Sequence, residues 1–354
     1  MAVDGDLRAE LAVRGVRGRP SVRRRGGAGP SDDGHVLLQG SQTTLPLADD
    51  SPFAVGEAGG LLRDGEPIGG VELELVGRPR FYDLTTAQGI PYEQIAKLHG
   101  AEVLATTVVQ TCVRFDPSQR CRFCTIEESL RSGDTIQVKR PEQIAEVAEA
   151  AVRLDGVRQL VMTTGTANHA DRGARHLARC CAAVAQAVPD LPIQVQCEPP
   201  GDLATIAELH GAGATAIGIH VESLDDEVRR RWMPGKATVP LQAYWRAWHE
   251  AVAVFGHNRV STYLLVGLGE DPDELVAGAR ELIDAGVYPF VVPFRPLAGS
   301  LAMADGARAP APELLGSVTR RVADALVEAG MSGVEQGAGC AACGACSALS
   351  ATGG

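Results

Sequence analysis

Between about residues 101 and 330 the chain alternates short β-branched segments with longer amphipathic segments, and it does so six times. The short segments are rich in Val, Ile and Thr and predict strands at 103–111, 159–164, 193–198, 216–222, 259–267 and 288–294. Each is followed by a segment whose apolar residues recur every three or four positions, which predicts a helix. Because strands joined through helices form parallel sheets, two folds fit: an open doubly wound sheet or a partial barrel.

The polar residues in two of these strands favour the barrel. Gln194, Gln196 and Glu198 share one face of the third strand, and His220 and Glu222 share one face of the fourth. Strands of a doubly wound sheet are buried on both faces and read as continuous apolar runs, whereas barrel strands can turn one face to a polar lumen. The sequence therefore predicts an α/β fold built on a partial (β/α)6 TIM-type barrel.

Three other regions flank this barrel. An Arg-rich stretch interleaved with Gly and Pro predicts disorder, while alternation of apolar and acidic residues predicts a hairpin strand at 71–76 that returns over 78–85. A short helix is expected over 91–99. The predicted organisation is a disordered basic tail at 1–34, a hairpin and helix at 35–100, the barrel at 101–330 and a Cys-rich tail at 331–354.

The charge and hydropathy of the chain restrict its partners and its location. With 33 basic and 44 acidic residues the formal net charge is −11, which disfavours general binding of nucleic acid or anionic lipid. The sequence contains no apolar run of the roughly 18 residues that a membrane span needs, and its first residues lack the apolar segment of a secretory signal. We therefore expect a cytoplasmic protein without membrane or nucleic-acid partners.

The cysteines carry the strongest chemical signal. Six of the nine form two tight groups, namely Cys112, Cys121 and Cys124, and Cys340, Cys343 and Cys346. An odd number of cysteines without a secretory signal does not indicate a disulfide framework, and tight grouping indicates metal or iron–sulfur ligation. The other three, Cys180, Cys181 and Cys197, are expected to pack as small buried residues.

The first cysteine group follows the first predicted strand, and in a β/α barrel the active face lies at these strand ends. A structural zinc site normally has four ligands. A [4Fe–4S] cluster held by three cysteines leaves one iron open. The count of three favours the cluster, and a zinc site completed by a distant His or Cys stays open as the alternative.

The second cysteine group lies in the tail. Its two C-x2-C steps contain only Ala and Gly, so three sulfurs can converge on one metal site. A second iron–sulfur cluster and a zinc-binding tail both fit this pattern. The roughly ten residues from 330 to 339 can span about 33 Å when extended. We therefore expect the tail to fold over the barrel mouth and face the substrate.

A β/α barrel with three clustered cysteines after its first strand resembles the radical S-adenosylmethionine (SAM) superfamily. Its members commonly carry C-x3-C-x2-C with an aromatic residue before the last cysteine; Phe123 has that position, whereas the first gap here is eight residues. Later segments are similar to the biotin synthase and lipoyl synthase branch. The whole chain resembles a radical-SAM family encoded with nitrilases in bacterial gene clusters. The segments that carry this resemblance are 110–112, 163–166, 196–200, 220–223, 233–236 and 340–346.

The resemblance implies the chemistry of the protein. SAM would chelate the open iron, and an electron from the reduced cluster would cleave it to methionine and a 5′-deoxyadenosyl radical that abstracts hydrogen from a small substrate. The low potential of such clusters implies a flavodoxin or ferredoxin donor. The nitrilase association implies a nitrogenous substrate and partners in a nitrilase-containing pathway.

The resemblance also implies further site residues. A strand end at 163–166 would hold the SAM amine, Gly267 and Gly269 would let the backbone approach adenine, and Arg295 would meet an anionic group. Glu198, His220 and Glu222 would contact SAM or substrate, because ionisable groups on one lumen face are costly to bury without a partner. The implied cofactor-binding set is Phe123, Thr163, Thr164, Gly165, Thr166, Glu198, His220, Glu222, Gly267, Gly269 and Arg295, with one of Arg229, Arg230 and Arg231 on the SAM carboxylate.

Three other functions remain open at this point. A zinc-stabilised binding or scaffold protein would use both cysteine groups structurally, and an electron carrier would need no SAM pocket. Within the enzyme class, a second cluster would also suit a sulfur-inserting enzyme.

Overall fold

The computed structural model describes residues 5–17, 35–38, 41–56 and 59–351. Its centre is a seven-stranded sheet whose strands follow one another in chain order. The strands are β6 (Lys97–His99), β7 (Val103–Thr107), β8 (Gln159–Thr163), β9 (Ile193–Gln196), β10 (Ala216–Gly218), β11 (Val260–Val266) and β12 (Val287–Pro293). Strands β7 to β12 are parallel, and β6 pairs antiparallel with β7. The predicted α/β fold with a partial (β/α)6 barrel is confirmed.

Helices connect the parallel strands. The long ones are α3 (Pro141–Asp155), α4 (Ala174–Ala187), α5 (Ala204–Gly211), α7 (Leu241–Phe255), α8 (Pro272–Asp284) and α10 (Pro312–Glu328); short ones are α2 (Glu128–Arg131), α6 (Asp226–Trp232), α9 (Leu301–Ala304) and α11 (Cys340–Cys343). Their ends follow local chemistry: the Asp271 side chain accepts from two backbone amides at the start of α8, and Gly156 ends α3 in the left-handed region at φ 68°.

The two faces of the barrel strands differ as the alternation predicted. Apolar residues such as Leu160, Ile193 and Ile217 are fully buried in the main hydrophobic core, which the outer helices share. Gln194 and Gln196 are buried on the opposite face of β9, where Gln196 Nε2 donates to Gln194 Oε1 at 2.8 Å. The barrel therefore has a polar lumen.

A five-stranded antiparallel sheet precedes the barrel. It contains β1 (His35–Leu38), β2 (Ser41–Thr44), β3 (Phe53–Val55), β4 (Gly60–Arg63) and β5 (Glu66–Leu75), in the order β2-β1-β5-β4-β3. The predicted strand at 71–76 is part of β5, but the predicted return over 78–85 is wrong. That segment contains a 3-10 turn, and β5 pairs instead with β4 across a turn at Asp64-Gly65, a strong turn sequence that the prediction overlooked.

Two further predictions in this region are wrong. The helix expected over 91–99 is a 3-10 turn (Tyr92–Gln94) followed by β6, because β6 completes the sheet edge beside β7. The tail expected to be disordered over 1–34 contains helix α1 (Gly5–Arg14), which packs on α10. Its Leu11 is fully buried in the core of the small sheet, so tertiary packing repays the cost of ordering it. Residues 18–34 lie outside the described part of the chain.

None of the helices in the described part of the chain combines the length and the apolar composition that a membrane span requires.

Candidate active site

The first cysteine group lies in a loop anchored at the carboxyl ends of the strands. Val113 N donates to Thr166 O at 2.9 Å, which joins the loop to the segment after β8. Gly235 N donates to Gln119 O at 2.8 Å, which joins it to the segment after α6. The Asp116 carboxylate accepts from the Ser118 amide at 2.9 Å and forms a turn. The long gap between Cys112 and Cys121 therefore forms a loop attached at both sides of the barrel mouth.

The thiols of this group influence one another's pKa. All three cysteines are partly buried. Burial raises the pKa of Cys124 to about 11, and Cys112 contributes to the same shift. Burial likewise raises the pKa of Cys121 well above its usual value, while Lys236 acts against the rise. Cys112, Cys124 and Lys236 therefore take part in the electrostatic surroundings of these thiols.

A single ion and a cluster make different demands on these three cysteines. Within the described residues, no group of three or more His, Cys, Asp or Glu side chains is drawn close enough to hold one metal ion. In an iron–sulfur cluster each thiolate binds a different iron, so the three sulfurs need to surround a space and not meet at a point. Cys112, Cys121 and Cys124 have the chemistry for that role, and their assignment as cluster ligands stays a prediction.

Glu198 is held in the lumen by two partners. Arg114 Nη1 lies 2.7 and 2.5 Å from the two carboxylate oxygens, and Thr166 Oγ1 donates to Oε1 at 2.7 Å. The Arg114 side chain is only 6% exposed, so the pair is well shielded. The sequence did not single out Arg114, although it lies inside the cysteine loop and its position next to a predicted cluster was a usable signal.

Glu222 forms the second shielded ion pair, with Lys236 Nζ at 2.5 Å. Burial alone would lower the pKa of Lys236, but neighbouring negative groups, above all Glu222, raise it above its usual value. Lys236 was noticed only as part of the resembling segment 233–236, without a role of its own. Glu222 adopts the left-handed conformation at φ 63°, a strained backbone for a residue other than glycine.

His220 lies deeper in the lumen. Its ring stacks on Tyr263 with centroids 4.1 Å apart and planes 4° apart. Burial, assisted by Lys236, lowers the pKa of His220 to about 3, so the imidazole is neutral. Its Nε2 is buried without a hydrogen-bond partner. A Cβ on Gly218 would lie 2.9 Å from that atom, so the glycine provides the room for the ring.

The segment 163–166 approaches the cysteine loop through its backbone. A Cβ on Gly165 would lie 2.2 Å from Thr111 O, so only glycine fits beside the start of that loop. Thr164 Oγ1 is occupied by its bond to Gly165 O, while Thr163 O accepts from Val108 N at 2.8 Å. Of the four predicted residues, Thr166 is the one whose side chain meets a charged lumen group.

The remaining predicted residues are dispersed around the barrel. Phe123 packs against the main core between Cys121 and Cys124. Gly267 and Gly269 have φ values of 107° and 110°, which favour glycine, and a Cβ on Gly269 would meet nothing within 4 Å. Arg295 reaches toward the tail, where it offsets part of the rise that burial imposes on the pKa of Cys346.

Of the three arginines after β10, Arg229 is engaged within the fold, and a role for Arg230 or Arg231 at SAM stays a prediction. Arg229 is buried, donates to Val239 O at 2.6 Å and lies over the Tyr244 ring, so it is part of the packing. Arg230 and Arg231 are exposed. The arginine that meets a carboxylate in the lumen is Arg114. The three cysteines expected to pack, Cys180, Cys181 and Cys197, are buried in the main core.

The tail enters the lumen from the end opposite the mouth. Asn258 Nδ2 donates to Ser332 O at 2.8 Å, Arg259 Nη1 donates to Gln336 O at 2.6 Å, and Gly339 N donates to Gln159 Oε1 at 2.6 Å. Asn258 and Arg259 precede β11 and Gln159 begins β8, so these contacts lie at the amino ends of the strands. The expectation that the tail covers the mouth is wrong, because α10 already delivers the chain to the opposite end.

The tail cysteines form the floor of the lumen. Tyr263 Oη lies 2.7 Å from Cys340 Sγ, and Gln196 Nε2 lies 3.4 Å from the same sulfur. Burial raises the pKa of Tyr263, and all three tail cysteines add to the rise. The lumen thus has tail thiols at its floor, His220 and Tyr263 above them, and the two ion pairs toward the mouth.

Comparison with known proteins finds a family match within the barrel. The sequence profile described as Radical SAM superfamily matches residues 117–282, a range that includes Cys121 and Cys124 and the strands β8 to β11. The chain carries a radical SAM domain. Enzymes with this domain use a [4Fe–4S] cluster and SAM, and which residues of this chain hold them stays a prediction.

Relatives of the radical SAM domain cover only part of the chain. A bacteriochlorophyllide c C-7(1)-hydroxylase of Chlorobaculum limnaeum is 29% identical over 143 residues, 39% of this chain and 34% of the relative. A mitochondrial lipoyl synthase of Leishmania braziliensis is 28% identical over 171 residues, 47% and 43% of the two chains. The chain thus spans less than half the length of these curated relatives. The crystal structure of methylornithine synthase aligns with a TM-score of 0.50 at 16% identity, over 71% of this chain and 72% of that one, and supports the fold alone.

Proposed function

We propose that the protein is a radical SAM enzyme that abstracts hydrogen from a small substrate bound in the barrel lumen. Cys112, Cys121 and Cys124 hold a [4Fe–4S] cluster at the mouth, and SAM binds beside it. When bound, these groups supply the one-electron chemistry that breaks a substrate C–H bond. The observation that carries the proposal is a loop with three cysteines that is joined to the barrel mouth by backbone hydrogen bonds, beside a lumen that holds two shielded ion pairs.

The chain's own residues prepare this site in two ways. The thiols must lose their protons to bind iron, and the raised pKa values mean that cluster assembly releases protons. Lys236 favours the thiolate form of Cys121, while Arg114 and Lys236 form ion pairs with two carboxylates in a shielded space. These preorganised charges would orient the ammonium and carboxylate groups of SAM or substrate without the cost of rearranging water.

The cofactor-binding residues are assigned as follows within this proposal. Gly165 lets the backbone of 163–166 lie against the cysteine loop. Three carbonyl groups of this segment already accept one hydrogen bond each, and a second lone pair on such an oxygen would accept from the SAM amine. Gly267 and Gly269 provide the close approach for adenine. Glu198, His220 and Glu222 contact SAM or the substrate, and the unpartnered Nε2 of His220 is the polar atom best placed to receive a substrate group.

The tail is the second metal site of the proposal. Its three thiols lie at the closed end of the lumen, so a substrate that enters from the mouth would meet them. This position favours one further reading within the enzyme class, in which a tail cluster donates sulfur to the substrate. The proposed electron donor is a flavodoxin or ferredoxin, and the proposed substrate is nitrogenous and belongs to a nitrilase-containing pathway in the cytoplasm.

Anaerobic reconstitution with iron, sulfide, SAM and reductant tests the function. We expect a brown protein that produces 5′-deoxyadenosine, and no product from the variant with Cys112, Cys121 and Cys124 all changed to Ala. The matched control is Cys181→Ala, which also removes a thiol but from the packed core. A colourless protein with stoichiometric zinc would identify a zinc-stabilised binding protein instead. Retained cleavage in the triple variant would refute the assignment of the site.

A further inference from the structure

One histidine lies against the tail cysteines. His99 is the last residue of β6 and pairs with Val103 at the start of β7, so its backbone is fixed at the amino end of the barrel. The residue is buried, with 8% of its surface exposed. Its Nε2 lies 3.6 Å from Cys346 Sγ. An imidazole nitrogen and a thiolate are both common metal ligands, and here they lie side by side at the floor of the lumen.

The separation has the value expected for two ligands of one metal atom. Thiolate sulfur binds zinc at about 2.3 Å and imidazole nitrogen at about 2.0 to 2.1 Å. With these bond lengths and a tetrahedral angle, the nitrogen and sulfur are about 3.5 to 3.6 Å apart. A simple hydrogen bond to sulfur would allow the same distance, so the two readings must be separated by experiment.

The other tail thiols surround the same space. Cys340 Sγ contacts the Tyr263 hydroxyl. All three tail cysteines help to raise the pKa of that tyrosine. Cys343 Sγ lies 3.7 Å from where a Cβ on Gly100 would stand, immediately after His99. Gly100 has φ 63°, and its missing side chain leaves room for the backbone to turn under the tail.

The surroundings also suit an anionic metal centre. Arg8 donates to Gly344 O, inside the tail motif, at 3.1 Å. Burial lowers the pKa of Arg8, and Cys346 and Cys343 oppose that lowering. Arg295 opposes the rise that burial imposes on the pKa of Cys346. Ser347, the hydroxyl next to the motif, is occupied by its bond to Val291 O at 2.5 Å. Two guanidinium groups thus balance thiolate charge, while an imidazole provides a donor nitrogen.

We infer that His99 is the fourth protein ligand of the tail metal centre, together with Cys340, Cys343 and Cys346. This inference rests on the tail metal site in the proposed function and adds a ligand outside both cysteine groups. This ligand set suits an iron–sulfur cluster in which His99 and Cys346 share one iron, because no group of three or more such side chains in the described residues is close enough to hold a single ion; iron and sulfide analysis tests this.

The test uses the full chain with Cys112, Cys121 and Cys124 changed to Ala, so that only the tail site remains. We expect bound metal whose X-ray absorption spectrum shows both sulfur and nitrogen neighbours. Adding His99→Ala should remove the nitrogen contribution and lower metal retention against a chelator at least tenfold. His99→Cys should restore retention with sulfur neighbours alone, which excludes misfolding as the cause of the loss. The control His210→Ala changes an exposed histidine that packs on Phe255.

Two results would overturn the inference. The first is an unchanged nitrogen contribution and unchanged retention in His99→Ala, which would leave only a hydrogen bond between His99 and Cys346. The second is a tail without metal in the background variant. If the unaltered chain still produces 5′-deoxyadenosine in that case, the proposed SAM-cleaving function stands and only the tail assignment fails.

Discussion

The ion pair between Lys236 and Glu222 offers the sharpest test of the lumen geometry. Their side chains are 10% and 13% exposed, and Nζ lies 2.5 Å from the carboxylate. Removing one partner of such a shielded pair leaves the other charge buried, which costs about 3 to 5 kcal/mol. We expect Lys236→Met to lower the free energy of unfolding by about 3 kcal/mol, at the lower end because some exposure remains.

The partner variant should cost less. In Glu222→Gln the Lys236 ammonium keeps the nearby Glu198 carboxylate, whose charge also acts on it. The double variant should recover much of the loss, because a neutral pair leaves no unpaired buried charge. Urea unfolding of the metal-free chain measures all three, and the double-mutant cycle gives the coupling energy. A loss below about 1 kcal/mol in Lys236→Met would show that the pair behaves as an exposed one.

The same substitution should change cluster assembly. Lys236 acts against the rise that burial imposes on the pKa of Cys121. Without the ammonium this pKa moves further up, so a smaller fraction of thiolate is present at a given pH. We expect the pH at which iron is incorporated to shift upward in Lys236→Met. Lys236→Arg keeps the positive charge and serves as the control; an identical pH dependence in Met and wild type would contradict the placement of Lys236 beside Cys121.

Three further predictions concern other parts of the site. Gly165→Ala places a Cβ against Thr111 O and should displace the cysteine loop, so the reconstituted variant should contain less iron than the wild type. An unchanged iron content would contradict that close approach. Arg8→Ala should speed hydrogen exchange in residues 340–347 without changing SAM cleavage, while Arg14→Ala, on the exposed side of α1, should change neither. His220 has a pKa of about 3, so its NMR signals should show neutral imidazole at pH 5.5. In the unfolded chain His220 binds a proton near its ordinary pKa of 6.5. Protonation therefore favours the unfolded state, and this residue lowers the free energy of unfolding as the pH falls below about 6.5. Imidazolium signals from His220 at pH 5.5 in the folded protein would refute this.

The sequence alone determined the features that depend on local pattern. Six β-branched segments followed by amphipathic segments specified the parallel barrel, because period two and period 3.6 are properties of neighbouring residues. The alternation in 193–198 likewise indicated the polar lumen, where Gln194 and Gln196 lie. The spacing of Cys112, Cys121 and Cys124 on one loop is enough to mark the candidate cluster site.

Only the tertiary structure decided which distant groups meet. Arg114 and Glu198 are 84 residues apart, and His99 and Cys346 are 247 apart, so no local pattern connects them. The tail illustrates the reason most clearly. Its reach of ten residues allowed either end of the barrel, and the choice depended on where α10 delivers the chain and on the buried amides that meet it there. Helix α1 follows the same rule: its arginine-rich sequence favours disorder, and the apolar surface that orders it comes from residues far away in the chain.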